Sequence, residues 1–141
     1  MNIRNAAISD SEPISRLLLQ LGHPISEEAT GRQLETLAST GNDRVLVAEL
    51  DGVVVGVMSL HWSHLLHRER PIGRITALVI EELVRGQGIG RSLVLEAHRI
   101  FDELGCGAVE VTSNVKRTEA HIFYRTLGYE QPSAYFRRVL R

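Results

Sequence analysis

Arg74-Ile75-Thr76-Ala77-Leu78-Val79-Ile80, followed by Arg85-Gly86-Gln87-Gly88-Ile89-Gly90, is the stretch whose reading decides the fold. Its first part is an apolar, partly β-branched run and reads as a buried strand; the glycine-rich turn then opens an amphipathic helix. Leu93, Val94, Ala97, Ile100, Phe101 and Leu104 fall on one face of that helix, and Gly105 supplies a left-handed stop. A strand–turn–helix junction of this kind suits an anion. The first-turn N–H groups have no intrahelical partner, and the helix dipole favours negative charge there. Glycines at 86, 88 and 90 remove side chains that would hold a phosphate off the backbone, and Arg85 and Arg91 add positive charge.

The spacing excludes two phosphate motifs. Arg91 stands where G-x-G-x-x-G requires its last glycine, and no G-x-x-x-x-G-K-[ST] occurs. What remains is R-x-x-G-x-G directly after a strand. Here the chain resembles the GNAT superfamily of acyl-CoA-dependent N-acyltransferases, whose signature in this setting is [QR]-x-x-G-x-[GA]. For the hexapeptide alone, a plain helix-opening turn is the competing reading.

With 141 residues the chain is read as a single domain, residues 1–141, long enough to bury a proper core. A formal charge of −1 gives no electrostatic case for nucleic acid, and no basic run suggests a membrane surface. Cys106 is the one cysteine, so neither a disulfide framework nor a cysteine-rich metal site is expected; between Gly105 and Gly107 it reads as a small buried filler. The sequence shows no signal-peptide pattern and no apolar run of membrane-spanning length. The expectation is a soluble cytoplasmic protein.

In chain order, Asn2 to Ile8 reads as a first strand, and Ser9-Asp10-Ser11-Glu12-Pro13 as a helix start. Ile14, Leu17, Leu18 and Leu21 face the core from that helix until Gly22 ends it. After His23-Pro24, Ser26-Glu27-Glu28 opens a second helix carrying Leu34 and Leu37. Arg44 to Leu50 and Val53 to Trp62 are strands joined by Asp51-Gly52, a strong hairpin signal. Gly56 inside the second strand marks a bulge or a close backbone approach. Ala108 to Thr112 reads as a fifth strand, Lys116 to Leu127 as a helix ending at Gly128, and Tyr135 to Leu140 as a terminal strand.

This order describes a mixed α/β (α+β) fold with a mostly antiparallel central sheet of six to seven strands flanked by four helices. Order and lengths are similar to the GNAT core, so the resemblance covers nearly the whole chain. Ala120-His121-Ile122-Phe123-Tyr124 and Gly128-Tyr129 match a second motif of the family, A-x-x-[FL]-Y-x-x-x-G-[FY].

The resemblance implies a site and a co-substrate, acetyl-CoA, with no metal. The backbone of the strand stretch Leu78-Val79-Ile80 would meet the pantetheine arm through Leu78 and Ile80. The pyrophosphate would sit beside Arg85 on the amides of Gly86, Gln87, Gly88, Ile89, Gly90 and Arg91. Acyl transfer to an amine needs a neutral amine, a donor for the developing oxyanion and a proton for the departing thiolate. By resemblance the N–H of Ile80 is the oxyanion donor and Tyr124 the acid, also placed against the cofactor; Tyr124 as a core residue with a bonded hydroxyl is the alternative. Many relatives carry a glutamate on the strand that reads Arg74 to Ile80, and this chain has none. Glu81 and Glu82 lie beyond the strand and read as a solvated pair. His61, His64 and His67 lie near the expected acceptor pocket, as loop polar residues, a proton relay or, least in keeping with their spacing, metal ligands; a water chain serves equally. Arg117 stands where many relatives have a cofactor-binding asparagine and would reach the CoA phosphates or a carboxylate on the acceptor, and Asn114 is a nearby substitute on the cofactor.

In this fold acceptor choice comes from segments corresponding to Leu21 to Glu28 and His61 to Gly73, whose mixed chemistry names no acceptor. The reading is an N-acetyltransferase acting on a primary amine of a small molecule by direct attack in a ternary complex. A protein acetyltransferase and a non-catalytic acyl-CoA-binding module are the alternatives. Neither nucleic acid nor membrane is an expected partner, and the family's habit of pairing through terminal strands admits a homodimer.

Overall fold

The computed structural model describes residues 1–112 and 118–140. Its elements are β1 (Asn2–Asn5), α1 (Ser11–Gln20), α2 (Glu27–Ser39), β2 (Asp43–Leu50), β3 (Val53–Ser63), β4 (Ile72–Ile80), α3 (Ile89–Glu103), β5 (Ala108–Val111) and α4 (Thr118–Thr126). The strands form one sheet in the order β1-β2-β3-β4-β5. Three of its pairings are antiparallel and the last, β4 with β5, is parallel.

Alternation along the central strands sorts side chains to two faces. Val47, Val57 and Val79 pack with Ile14 and Leu17 of α1 and Leu34 of α2. Leu46, Ala48, Met58, Leu60 and Ile75 pack on the other side against Leu93, Val94, Ala97, Ile100 and Phe101 of α3. The expected face of α3 is therefore buried except for Leu104, which lies 38% exposed at the helix end. A Cβ on Gly73 would stand 2.5 Å from Phe101 Cγ, so a missing side chain on β4 is what lets the ring lie flat against the strand.

Local chemistry sets the turns. Asp51 and Gly52 both take positive φ, 51° and 78°, as a two-residue hairpin requires. Ser26 caps α2 by accepting from Ala29 N–H at 3.1 Å. Opposite Gly56 the register shifts by one residue between Ala48 and Glu49, and a Cβ there would lie 3.0 Å from Ile80 Cδ1. Gly56 thus marks both a bulge and a close approach. Arg4 ties β1 to the helical layer, donating to both Asp10 oxygens at 2.8 and 2.9 Å and to Glu49 at 2.6 Å.

Among the described residues the sheet has five strands rather than six to seven. The expected terminal strand, Tyr135 to Leu140, pairs with nothing among the described residues, and Tyr135, Phe136, Val139 and Leu140 are exposed. The reason lies in the pattern Tyr-Phe-Arg-Arg-Val-Leu: either face of a strand would mix an arginine with apolar side chains, so neither can be buried. Among the described residues no helix is long and apolar enough to cross a membrane.

Candidate active site

The site begins where β4 and β5 part. Their ladder runs from Ile72↔Ala108 to Ile75↔Val111, whereas β3 stays paired with β4 as far as Ile80. In that longer ladder Ser59 faces Ala77 and Leu60 faces Ile75, so Thr76 is an extra residue, a bulge. It bends the strand and tightens its twist at the rung where β5 leaves. Thr76 Oγ1 donates to Ser59 C=O at 3.1 Å, which fixes the bulge to β3.

Beyond the bulge, strand parity decides which backbone groups face the opening. Glu81 N–H donates to Val55 C=O at 2.8 Å, so Val79 and Glu81 turn toward β3 while Leu78 and Ile80 turn away from it. On that outer side Ile80 C=O accepts from Arg85 Nε at 3.0 Å. Val79, part of the same expected stretch, sends its backbone to β3 and its side chain, 3% exposed, into the core.

Between β4 and α3 the loop is clamped from α1. Gln20 Nε2 donates to Glu81 Oε2 at 2.6 Å, and Gln20 Oε1 accepts from Glu82 N–H at 3.2 Å. Glu81 is therefore half-buried and bonded rather than one of a solvated pair, because the last turn of α1 reaches the loop. Gly86 and Gly88 follow, each at φ 82° with nothing within 4 Å of where a Cβ would be. Gly88 is the N-cap of α3. Ser92 closes the first helical bond to Gly88 C=O at 3.0 Å, which leaves the N–H groups of Ile89, Gly90 and Arg91 without intrahelical partners. Buried Ile89 anchors the turn, while Arg85, Gly86, Gln87, Gly88 and Arg91 are exposed.

α4 reaches the same place. A Cβ on Gly90 would meet Phe123 Cζ at 3.5 Å and Ile80 Cγ1 at 3.7 Å, so Phe123 lies over the helix start and the end of β4. Tyr124 packs edge-on against Phe123, with ring centroids 5.2 Å apart, and against Tyr129. Burial pushes the Tyr124 phenol above its ordinary value, so the hydroxyl keeps its proton at neutral pH. Tyr129 is pushed up to about 12 by burial and by Tyr124. Its hydroxyl lies 2.7 Å from His98 Nε2, and burial lowers the His98 pKa.

The expected histidines separate. His61 lies on β3 with Nδ1 2.8 Å from Asp43 Oδ1. His64 and His67 are exposed in the connection after β3. Among the described residues no three His, Cys, Asp or Glu side chains stand together as a metal site. Asn114 and Arg117 lie outside the described residues. Cys106 is half-buried rather than a fully buried filler, and burial raises its thiol pKa. From the expected acceptor segment Leu21 to Glu28, Pro24, Ile25 and Ser26 line a shallow depression of about 430 Å³ with Ser15, Arg16 and Leu19. Thr76, Gln20 and Asp43 carry no mark in the sequence that singles them out. Tyr129 does, through the Gly128-Tyr129 pair, although His98 as its partner does not.

Comparison with known proteins finds relatives along nearly the whole chain. Residues 41–131 match the acetyltransferase (GNAT) domain. The aminoalkylphosphonate N-acetyltransferase of Salmonella typhimurium is 31% identical over 139 residues, 98% of this chain and 90% of that protein. An aminoglycoside N(6′)-acetyltransferase type 1 of Stenotrophomonas maltophilia is 25% identical over 98% of this chain and 93% of its own. Among solved structures, an aminoglycoside N-acetyltransferase in complex with CoA superposes with a TM-score of 0.84, covering 99% of this chain and 95% of that one at 20% identity.

Proposed function

The chain belongs to the GNAT acetyltransferase family and is an acyl-CoA-dependent N-acetyltransferase, and from this premise we propose that it transfers the acetyl group of acetyl-CoA to the primary amine of a small molecule. One observation carries the reading. The bulge at Thr76, the end of β5 pairing and the two left-handed glycines before α3 lie in succession along one path. The path offers outward backbone groups first and orphan helix N–H groups last, the order in which an acyl-pantetheine arm and its diphosphate need them.

The residues fit that co-substrate. Gly86 and Gly88 leave open space where side chains would block a phosphate, and Arg85 and Arg91 stand beside it. Along β4 the N–H groups of Leu78 and Ile80 and the C=O of Leu78 face the opening. In our reading one of these outward N–H groups donates to the carbonyl oxygen as charge develops on it, a contact of the kind that lowers acyl-transfer barriers. Tyr124, protonated because it is buried, donates its proton to the departing sulfur. The amine attacks directly in a ternary complex, without an acyl-enzyme. The two relatives act on amines of opposite character, an aminoalkylphosphonate and an aminoglycoside. A second copy of the chain is the proposed partner of the exposed stretch Tyr135 to Leu140.

Isothermal titration with acetyl-CoA, wild type beside Gly88→Trp, tests the reading. Micromolar binding that the variant loses supports the cradle and leads to a screen of amines by thiol release. A wild type that binds no acetyl-CoA would end it; binding without release on any amine would turn it into an acyl-CoA-binding module.

A further inference from the structure

On the sheet face opposite α3, one row of polar side chains crosses four strands. Asp43 of β2 stands opposite His61 of β3, His61 opposite Arg74 of β4, and Arg74 opposite Glu110 of β5. Directly opposed residues share a face. His61 has the parity of Val57, and Asp43 that of Val47, so the row lies on the face that α1 and α2 cover elsewhere. Here they leave it open: Arg74 and Glu110 are about half exposed, and His61 37%. Arg74 lies two residues before the bulge, on the last rung but one that β5 shares with β4.

The row therefore borders the vertex of the opening from the side that α3 and α4 do not occupy. A co-substrate whose reactive end lies at that vertex is met by an acceptor from this side. We propose, resting on the acetyl-CoA reading above, that the row is the acceptor subsite and selects primary amines that carry an acidic group, a phosphonate or a carboxylate, held by Arg74. The guanidinium is a planar fork suited to such groups. Its contact with Glu110, at 3.6 Å, is an ion pair beyond hydrogen-bond length. His61, about 10 Å along β3 from the rung of Leu78, serves the amine through intervening water. With Nδ1–H donating to Asp43, the opposite ring nitrogen, Nε2, presents a lone pair.

In the step this arrangement serves, the amine nitrogen forms its bond to the acetyl carbon and the carbon–sulfur bond breaks. The surplus proton on nitrogen passes through water to His61 Nε2 and the sulfur takes one from Tyr124, while Asp43 holds the His61 ring through Nδ1. Asp43 stands at one end of the row and Arg74 two places along it, so a zwitterionic amine matches it with its acid at Arg74 and its nitrogen toward Asp43, whereas a polycation meets Arg74.

The experiment compares aminoethylphosphonate, β-alanine, propylamine and an aminoglycoside as acceptors by thiol release, in the wild type, Arg74→Gln and Arg74→Lys. Acetyl-CoA titration of each runs in parallel. The wild type is expected to prefer the two acidic amines. In Arg74→Gln their kcat/KM falls about 10- to 100-fold more than that of propylamine, mainly through KM, as loss of a charged hydrogen-bond partner implies; Arg74→Lys lies between. Equal losses on acidic and neutral amines, or a wild type that favours the aminoglycoside, would overturn the subsite while leaving acetyl-CoA binding intact. Absent acetyl-CoA binding in the wild type would overturn the reading beneath it as well.

Discussion

The ring of Tyr129 lies edge-on to that of Tyr124, centroids 5.5 Å apart and planes at 66°, because the two residues are the fixed ends of one helix stop. Gly128, at φ 89°, turns the chain so that its own N–H donates to Arg125 C=O at 3.1 Å and that of Tyr129 to Tyr124 C=O at 3.1 Å. This paired closure brings the residue after the glycine onto the one five positions earlier. The stop of α4 is thus also the wall behind the candidate acid.

Tyr124→Phe is expected to lower kcat by about 10²- to 10⁴-fold, the usual worth of a positioned acid, and to change acetyl-CoA affinity far less. Because burial raises the phenol above 10.0, the alkaline limb of the wild-type kcat profile should lie above that value and vanish in the variant. Steady-state rates across pH, with titrations of acetyl-CoA, check both. A proportional loss of binding and turnover would assign Tyr124 to packing.

Tyr129→Phe keeps the ring against Tyr124 and removes the hydroxyl beside His98. The expected cost is about 0.5–1.5 kcal/mol of stability, read by urea unfolding, with a smaller change in kcat than Tyr124→Phe causes.

Gly86→Ala, Gly88→Ala and Gly41→Ala share one strain, φ of 81° or 82° in open space. Each should cost about 1–2 kcal/mol, the penalty of a left-handed residue with a Cβ. Only the first two should weaken acetyl-CoA binding, since Gly41 lies in the turn before β2. Three thermal melts and three titrations separate strain from contact.

Gly73→Ala places a methyl 2.5 Å from the Phe101 ring. Overpacking of about 1–3 kcal/mol or more is expected, and adding Phe101→Leu should return part of it. Denaturant midpoints of the single and double variants test this coupling.

Asp10 is held below its ordinary 3.8 chiefly by the Arg4 guanidinium. A lowered carboxyl stabilises the fold fully above its unfolded value and loses that contribution as pH falls through the folded one. Asp10→Asn should therefore cost about 1–2 kcal/mol at neutral pH, and the gap to the wild type should close below pH 3.8. Urea unfolding at several pH values measures it.

What the sequence revealed and what it hid divide along physical lines. The stops at Gly22, Gly105 and Gly128, the Asp51-Gly52 hairpin and the buried face of α3 follow from backbone preference and periodicity, which are local. Arg85 to Arg91 was legible for the same reason. The Gln20 clamp on Glu81 joins residues far apart in sequence, and nothing near either one announces it. Tyr135 to Leu140 shows the converse error: its residues favour a strand, but a strand needs a partner and one uniformly apolar face. The bulge at Thr76 has no local mark, because it shows only in how β4 pairs with β3.

That bulge has a consequence for how the opening is inherited. Ser59 faces Ala77 and Leu60 faces Ile75, so a chain lacking Thr76 would pair β3 with β4 in unbroken register. Leu78, Val79 and Ile80 would each keep the side they now face, and the core would be spared. Only the bend would go. The opening is thus written as a count of residues, one more on β4 than on β3, and a single codon's deletion would remove the bend that borders it.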